Sequence, residues 1–155
     1  MAAARYRRAL ERAAAARQRT IRFVEVLKPE DFEAAFAALR RVPADGLIVM
    51  ADQLVQTRAA DIVRFARDRR LATAFGGPSR RFVDDGGLMA LAPDSGKYWR
   101  QAAAYADRIL RGVSPADLPV EQPTQFELVI NLKTAKAIGL TVPRSLLLRA
   151  DQVIE

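Results

Sequence analysis

Residues 46–51 read GLIVMA, an uninterrupted apolar run. An element with one wet face shows a polar position every second residue in a strand, or every third to fourth in a helix, so a run this continuous asks to be covered on both sides. That environment is the inside of a parallel sheet. The neighbouring segments supply the rest: TIRFVEVL (20–27) and LATAFG (71–76) are rich in β-branched and aromatic residues and read as two more strands. Between them the period changes to that of a helix. Tyr6, Leu10 and Ala13 or Ala14 mark one helix over residues 3–18, Pro29 opens a second with Phe32, Ala35, Phe36 and Leu39 on one stripe, and Ala59, Ile62, Phe65 and Ala66 mark a third. The order αβαβαβ predicts an α/β fold with a doubly wound, mostly parallel sheet, right-handed crossovers and GLIVMA at its centre.

After Gly77 the rhythm is different. PSRRFVDDGG holds a turn-forming DDGG, GLMAL is a short strand, and Tyr98, Ala102, Tyr105 and Ile109 define a long helix ending near Gly112. VSPADLPVEQPTQ carries several prolines and no period, which predicts an extended connector. The closing residues, FELVIN followed by LKTAKAIG and a helical turn after Pro143, read as a strand, a helix stopped by Gly139 and a last turn.

Composition narrows the function classes. A chain of 155 residues, half of them hydrophobic, can bury one domain's core. It has no Cys and no His, which excludes thiol nucleophiles, disulfides, imidazole acid–base work and the common zinc sites, and no cofactor is expected. No run of eighteen apolar residues occurs, and MAAARYRRALERAAAARQRT never builds the apolar core of a signal peptide. The net charge of +7 raises a nucleic-acid reading, but all but four of the 25 basic residues are Arg, scattered through RYRRALERAAAARQR, LRR, RFARDRR and SRR away from aromatic clusters. A solvated basic surface is the expectation, with a basic regulatory or nucleic-acid-binding α/β domain as the alternative should the arginines converge on one face.

In open α/β sheets ligands bind outside the carboxyl ends of the strands. Asp52 and Gln53 follow the second predicted strand, and Phe75, Gly76 and Gly77 close the third. Asp52 could pair with the ammonium group of an amino acid-like ligand or cap the following helix. Phe75 and Phe82 could stack on a flat ligand or belong to the core. Gly76 and Gly77 could do no more than make a tight turn. No enzyme is expected: Asp84 and Asp85 sit in a turn and point apart, Lys133 and Lys136 read as a solvated helix face, and Ser79 has no His to activate it.

GGLMALAPD, ADLPVEQPTQFELVINLKTAKAIGLTVP and the final LLLRADQVIE closely resemble the carboxyl-terminal half of ABC-transporter substrate-binding proteins of the tryptophan- and tyrosine-binding type. The likeness is strong over residues 86–155 and looser over 20–85, where ADGLIVMAD matches in position and character. It implies a type I periplasmic-binding-protein fold: two doubly wound lobes joined by three crossing strands, with a small ligand clamped between them. Residues 1–85 and 126–155 would then be the second lobe. Residues 86–125 would be a strand, helix and connector belonging to the first. The resemblance favours the ligand role for Asp52, and implies a small-molecule ligand, a membrane permease as partner and an extracytoplasmic location. Members are longer, with a leader, a whole first lobe and the first strand of the second, so a shortened chain is expected. Its GLMALAP strand would present an open apolar edge with Leu88, Met89 and Leu91, expected to pair in a homodimer built around residues 86–112.

Overall fold

The computed structural model describes residues 2–50, 52–77, 80–121 and 125–155. Two units divide the chain, Met1–Val42 and Pro43–Glu155. In the first, α1 (Ala2–Ala15) and α2 (Asp31–Arg40) form where the helical spacing places them. The stripe of α2 is buried at Phe32, Ala35 and Phe36, with the two rings 6.2 Å apart. Asp31 starts the helix by accepting the N–H groups of Leu27 (3.0 Å) and Lys28 (3.1 Å) on Oδ2, and its charge suits the positive end of the helix dipole.

The strand expected at 20–27 does not form. High β-propensity expresses how well a side chain fits a pleated surface, and a strand exists only with a ladder partner. TIRFVEVL takes none among the described residues. Instead it is tied to α1 by side chains: Arg7 donates to Glu25 at 2.6 Å, and its guanidinium carbon lies 4.5 Å from the centre of the Phe23 ring.

The second unit holds a five-stranded sheet. β1 (Gly46–Met50), β2 (Ala72–Gly76), β3 (Met89–Pro93), β4 (Phe126–Asn131) and β5 (Gln152–Ile154) lie side by side in chain order. β1, β2 and β3 are parallel, β4 runs antiparallel to β3, and β5 is parallel to β4. Here the sequence reading is corrected twice. GLIVM is an edge strand, and the middle of the sheet belongs to β3, gripped on both sides with Leu88 fully buried at its entrance. The expected open edge at GLMALAP is therefore absent. Its second partner, β4, returns from more than thirty residues further along the chain, a pairing that no local pattern announces.

Register explains which positions are buried. Val49, Phe75, Ala90 and Val129 are paired across four strands and form one row, all buried. α5 (Arg80–Asp84) packs on β3 and β4, α4 (Ala59–Asp68) packs on α5, and Phe82 of α5 stacks on Phe75 with ring centres 4.5 Å apart. The turn after α5 has to come close to that stack. A Cβ on Gly87 would lie 2.4 Å from the Phe75 ring and 2.7 Å from the Phe82 carbonyl, which only glycine avoids. α7 (Leu132–Ile138) brings Ala135 and Ile138 into one cluster with Leu88 and Ile130, and Gly139, at φ 75°, ends that helix in the left-handed conformation.

One buried polar side chain ties these parts together. Asn131 ends β4, accepts the Thr134 N–H on Oδ1 (3.0 Å) as the cap of α7, and donates from Nδ2 to the Val83 carbonyl of α5 (3.1 Å). Its own backbone N–H donates to the Leu88 carbonyl at 2.8 Å, and the Leu88 N–H in turn donates to Thr73 Oγ1 of β2 at 2.8 Å.

Beyond β3 the long helix forms as expected as α6 (Ser95–Leu110), capped by Asp94 accepting the Lys97 N–H at 3.1 Å. Its apolar residues Tyr98, Trp99, Ile109 and Leu110 are exposed. Among its described residues the connector makes one 3₁₀ turn at Pro115–Asp117, and Tyr105 Oη of α6 holds it, its proton shared between the Pro119 carbonyl (2.8 Å) and Glu121 (2.9 Å). Desolvation first, and then the Glu121 bond, raise that phenol above its ordinary pKa.

Two substitutions test this arrangement. Val49 is 9% exposed and Ile48 51%, on opposite faces of the same strand. Val49→Asp therefore buries an unpaired carboxylate at a cost of several kcal/mol against a typical total of about 5–15, and should lose the cooperative urea transition, whereas Ile48→Asp should keep it. Asn131→Leu strands the Val83 carbonyl and the Thr134 N–H, and should lower unfolding free energy by about 2–4 kcal/mol in the same measurement, with Thr134→Val costing less.

Candidate ligand site

The register that pairs Met50 with Gly76 sets the ends of β1 and β2 side by side. Asp52 and Gln53 follow β1 and open a short helix, α3 (Gln53–Thr57), while Gly76 and Gly77 end β2, Gly77 turning the chain at φ 91°. Four of the residues singled out from the sequence are thus gathered at one end of the sheet. Asp52 does cap its helix, accepting the Val55 N–H on Oδ1 at 2.8 Å. That bond fixes the side chain without exhausting it, because a carboxylate has two oxygens and several acceptor sites, and this one is exposed to solvent. Gln53 beside it is exposed as well.

Phe75 and Phe82 lie elsewhere. They are 2% and 0% exposed and stacked on one another inside the protein, so core packing accounts for both rings. Sequence reasoning was blind to the polar groups at the same sheet end that come from β3 and β4. Asp94 follows β3, its N–H donates to the Gln125 carbonyl at 3.2 Å, and Lys97 Nζ donates to the Gln125 side chain. Gln125 is brought there only by the return of β4, though the helix-capping signal at Asp94 could have been read.

Several other charged residues pair with one another. Asp84 and Asp85 each face the arginine four residues earlier, Arg80 at 3.5 Å and Arg81 at 3.6 Å, and Arg80 also reaches Glu127 at 3.6 Å and the Gln152 side chain. Lys133 and Lys136 are exposed on α7. Ser79 lies outside the described residues, as does Ala51. Arginines on or beside α1, α4, α5 and α6 pair with carboxylates, Arg7 of α1 with Glu25 and the others within their own turn of helix, which fits a solvated surface. Among the described residues no group of three or more acidic side chains could hold a metal ion, and no helix is long and apolar enough to cross a membrane.

Solved structures share this fold. A conserved domain protein from Vibrio cholerae is 25% identical, with a TM-score of 0.84 over 97% of this chain and 50% of its own. An ABC domain in complex with L-Trp from Streptococcus pneumonia is 24% identical, with a TM-score of 0.76 over 88% of this chain and 46% of its own. A ligand-free, open substrate-binding protein with adhesive properties from Clostridium difficile is 20% identical, with a TM-score of 0.64 over 94% of this chain and 48% of its own. The chain spans about half the length of the structures it matches. No match was found among curated protein sequences. The two structures below 25% identity carry the fold, that of the periplasmic binding proteins, and the family model for ABC transporter substrate binding proteins matches residues 3–154; on that match the chain belongs to the ABC transporter substrate-binding protein family.

Proposed function

We propose that the chain is the solute-binding component of an ABC-type uptake system, taking a small amino acid-like or aromatic ligand at the carboxyl ends of β1 and β2. The observation that carries this is the Met50–Gly76 pairing, which sets the exposed, helix-fixed carboxylate of Asp52 beside the Gly76–Gly77 turn. A carboxylate held in that way suits an ammonium group. The reading is of a binder, not an enzyme, with a membrane permease as its partner and an extracytoplasmic place of work. The family supports each of these.

In the same reading, residues 86–125 belong to the other, first lobe. β3 is woven into this sheet, yet α6 buries none of its apolar residues, as a helix made to lie against another body would. Without that lobe the stripe of Tyr98, Trp99, Ile109 and Leu110 exceeds what a soluble monomer usually exposes, and a second copy of the chain is the cover we assign to it.

L-Trp, the compound held by the Streptococcus structure, is the first ligand to titrate by calorimetry, followed by the other amino acids. The chain alone should bind weakly, and Asp52→Ala should lower the affinity about tenfold, or about 1.4 kcal/mol. An unchanged affinity would remove Asp52 from the site, and tight one-to-one binding by the chain alone would remove the need for a second lobe. Light scattering at high micromolar concentration should show a dimer that Trp99→Glu with Leu110→Lys dissociates; a monomeric parent chain excludes the second copy.

A further inference from the structure

The sheet has a feature at this same end that the polar residues do not explain. Next to the buried row Val49–Phe75–Ala90–Val129 runs the row Met50–Gly76–Leu91–Leu128, which faces the other way. Met50 is 44% exposed and Leu91 52%, and Gly76 between them has no side chain. The backbones of β1 and β3 are two strand spacings apart, about 10 Å, so the missing side chain leaves a trough across β2 with an apolar wall on each side. Were a Cβ built on Gly76, the heavy atoms found near it among the described residues would be those of the Met50 thioether, Sδ at 3.4 Å and Cε at 3.5 Å. Met50 therefore leans over the glycine, and, the glycine's chain neighbours aside, no other atom of the described residues lies within 4 Å of that position. Phe126, paired with Pro93 at the same end of the sheet, is exposed too.

We infer that this trough is the specificity subsite of the ligand site: a flat apolar group of the ligand lies on Gly76 between Met50 and Leu91, while Asp52 holds the polar end. The inference rests on the reading that the ligand sits at the strand ends. Continuity supports it, since Asp52 is two residues beyond Met50 and Gly77 follows Gly76. The chemistry of the walls supports it as well. A methionine is flexible and polarisable, so it can swing off the glycine and lay its sulfur against a ring, an adjustable contact that a branched side chain would not give. Gly76 is not required by backbone conformation, its φ lying outside the positive range that would demand glycine. Open space is what its missing side chain provides.

Indole separates the trough from the rest of the site, because it has the flat apolar group and no ammonium. With ¹³C-methyl methionine in the full chain, indole should move the Met50 ε-methyl resonance saturably and leave that of Met89, packed in the α7 cluster, in place. Gly76→Val, which fills the trough at a position where a strand tolerates valine, and Leu91→Ser, at an exposed position, should each weaken the response at least fivefold with the melting temperature retained. Asp52→Asn should leave indole binding unchanged while weakening an amino acid ligand. A Met50 resonance that indole does not move, or moves equally in Gly76→Val, overturns the inference. Indole binding with no amino acid responding to Asp52→Asn would leave the trough standing and remove the proposed polar end.

Discussion

The second unit depends on one buried amide. Asn131 is the last residue of β4 and the cap of α7, and the same side chain holds the end of α5, while its backbone is bound to Leu88 at the mouth of β3. A buried amide is stable only when its donors and acceptors are matched, so its three partners have to arrive in one arrangement. Thr134 Oγ1, donating to the Gly86 carbonyl at 2.8 Å, adds a second tie between the same segments. Together they fix the turn after α5, and with it the depth at which Phe82 meets Phe75. Apolar residues supply most of the cohesion of this core. The amide decides which elements meet.

That fixation reaches the ligand end indirectly. With β3 pinned at Leu88, β2 is held through Thr73 and β1 through β2, so the heights of Met50 and Gly76 in the sheet are set from the far end. Asp52 needs no separate support beyond its helix cap. The placement of the proposed site thus follows from backbone register, with only a few side chains contributing to it.

How much of this could be read from the sequence depended on whether the cause was local. α2, α4, α6 and α7 appear where their apolar spacing and caps put them, because a helix satisfies its own hydrogen bonds and needs only one face covered. Strands depend on partners, and there the reading failed: TIRFVEVL has the right residues and no neighbour, and GLIVM, apolar enough for a centre, lies at a margin. β5, of three residues, gave no pattern to read. Asp52, Gln53, Gly76 and Gly77 were legible as strand-end residues, and the structure gathers them at one end of the sheet. Phe75 and Phe82 were ambiguous because an aromatic beside a turn looks the same whether it faces ligand or core; the structure stacks the two rings in the core. Met50 and Leu91 were hidden inside apolar strands, since alternation of faces becomes informative only once register is known.

The stretch from Asp94 to Gln125 leaves the sheet and re-enters it at almost the same point, where the Asp94 N–H meets the Gln125 carbonyl and Pro93 pairs with Phe126. Two adjacent strands therefore serve as the stem of a long loop, and the sheet registers only where that loop begins and ends. Closing a longer loop on the same stem costs only about 0.6 kcal/mol for each doubling of its length. The segment carrying α6 is accordingly open to insertion, deletion or wholesale exchange over generations, while β3 and β4, which hold its ends together, have little freedom to change.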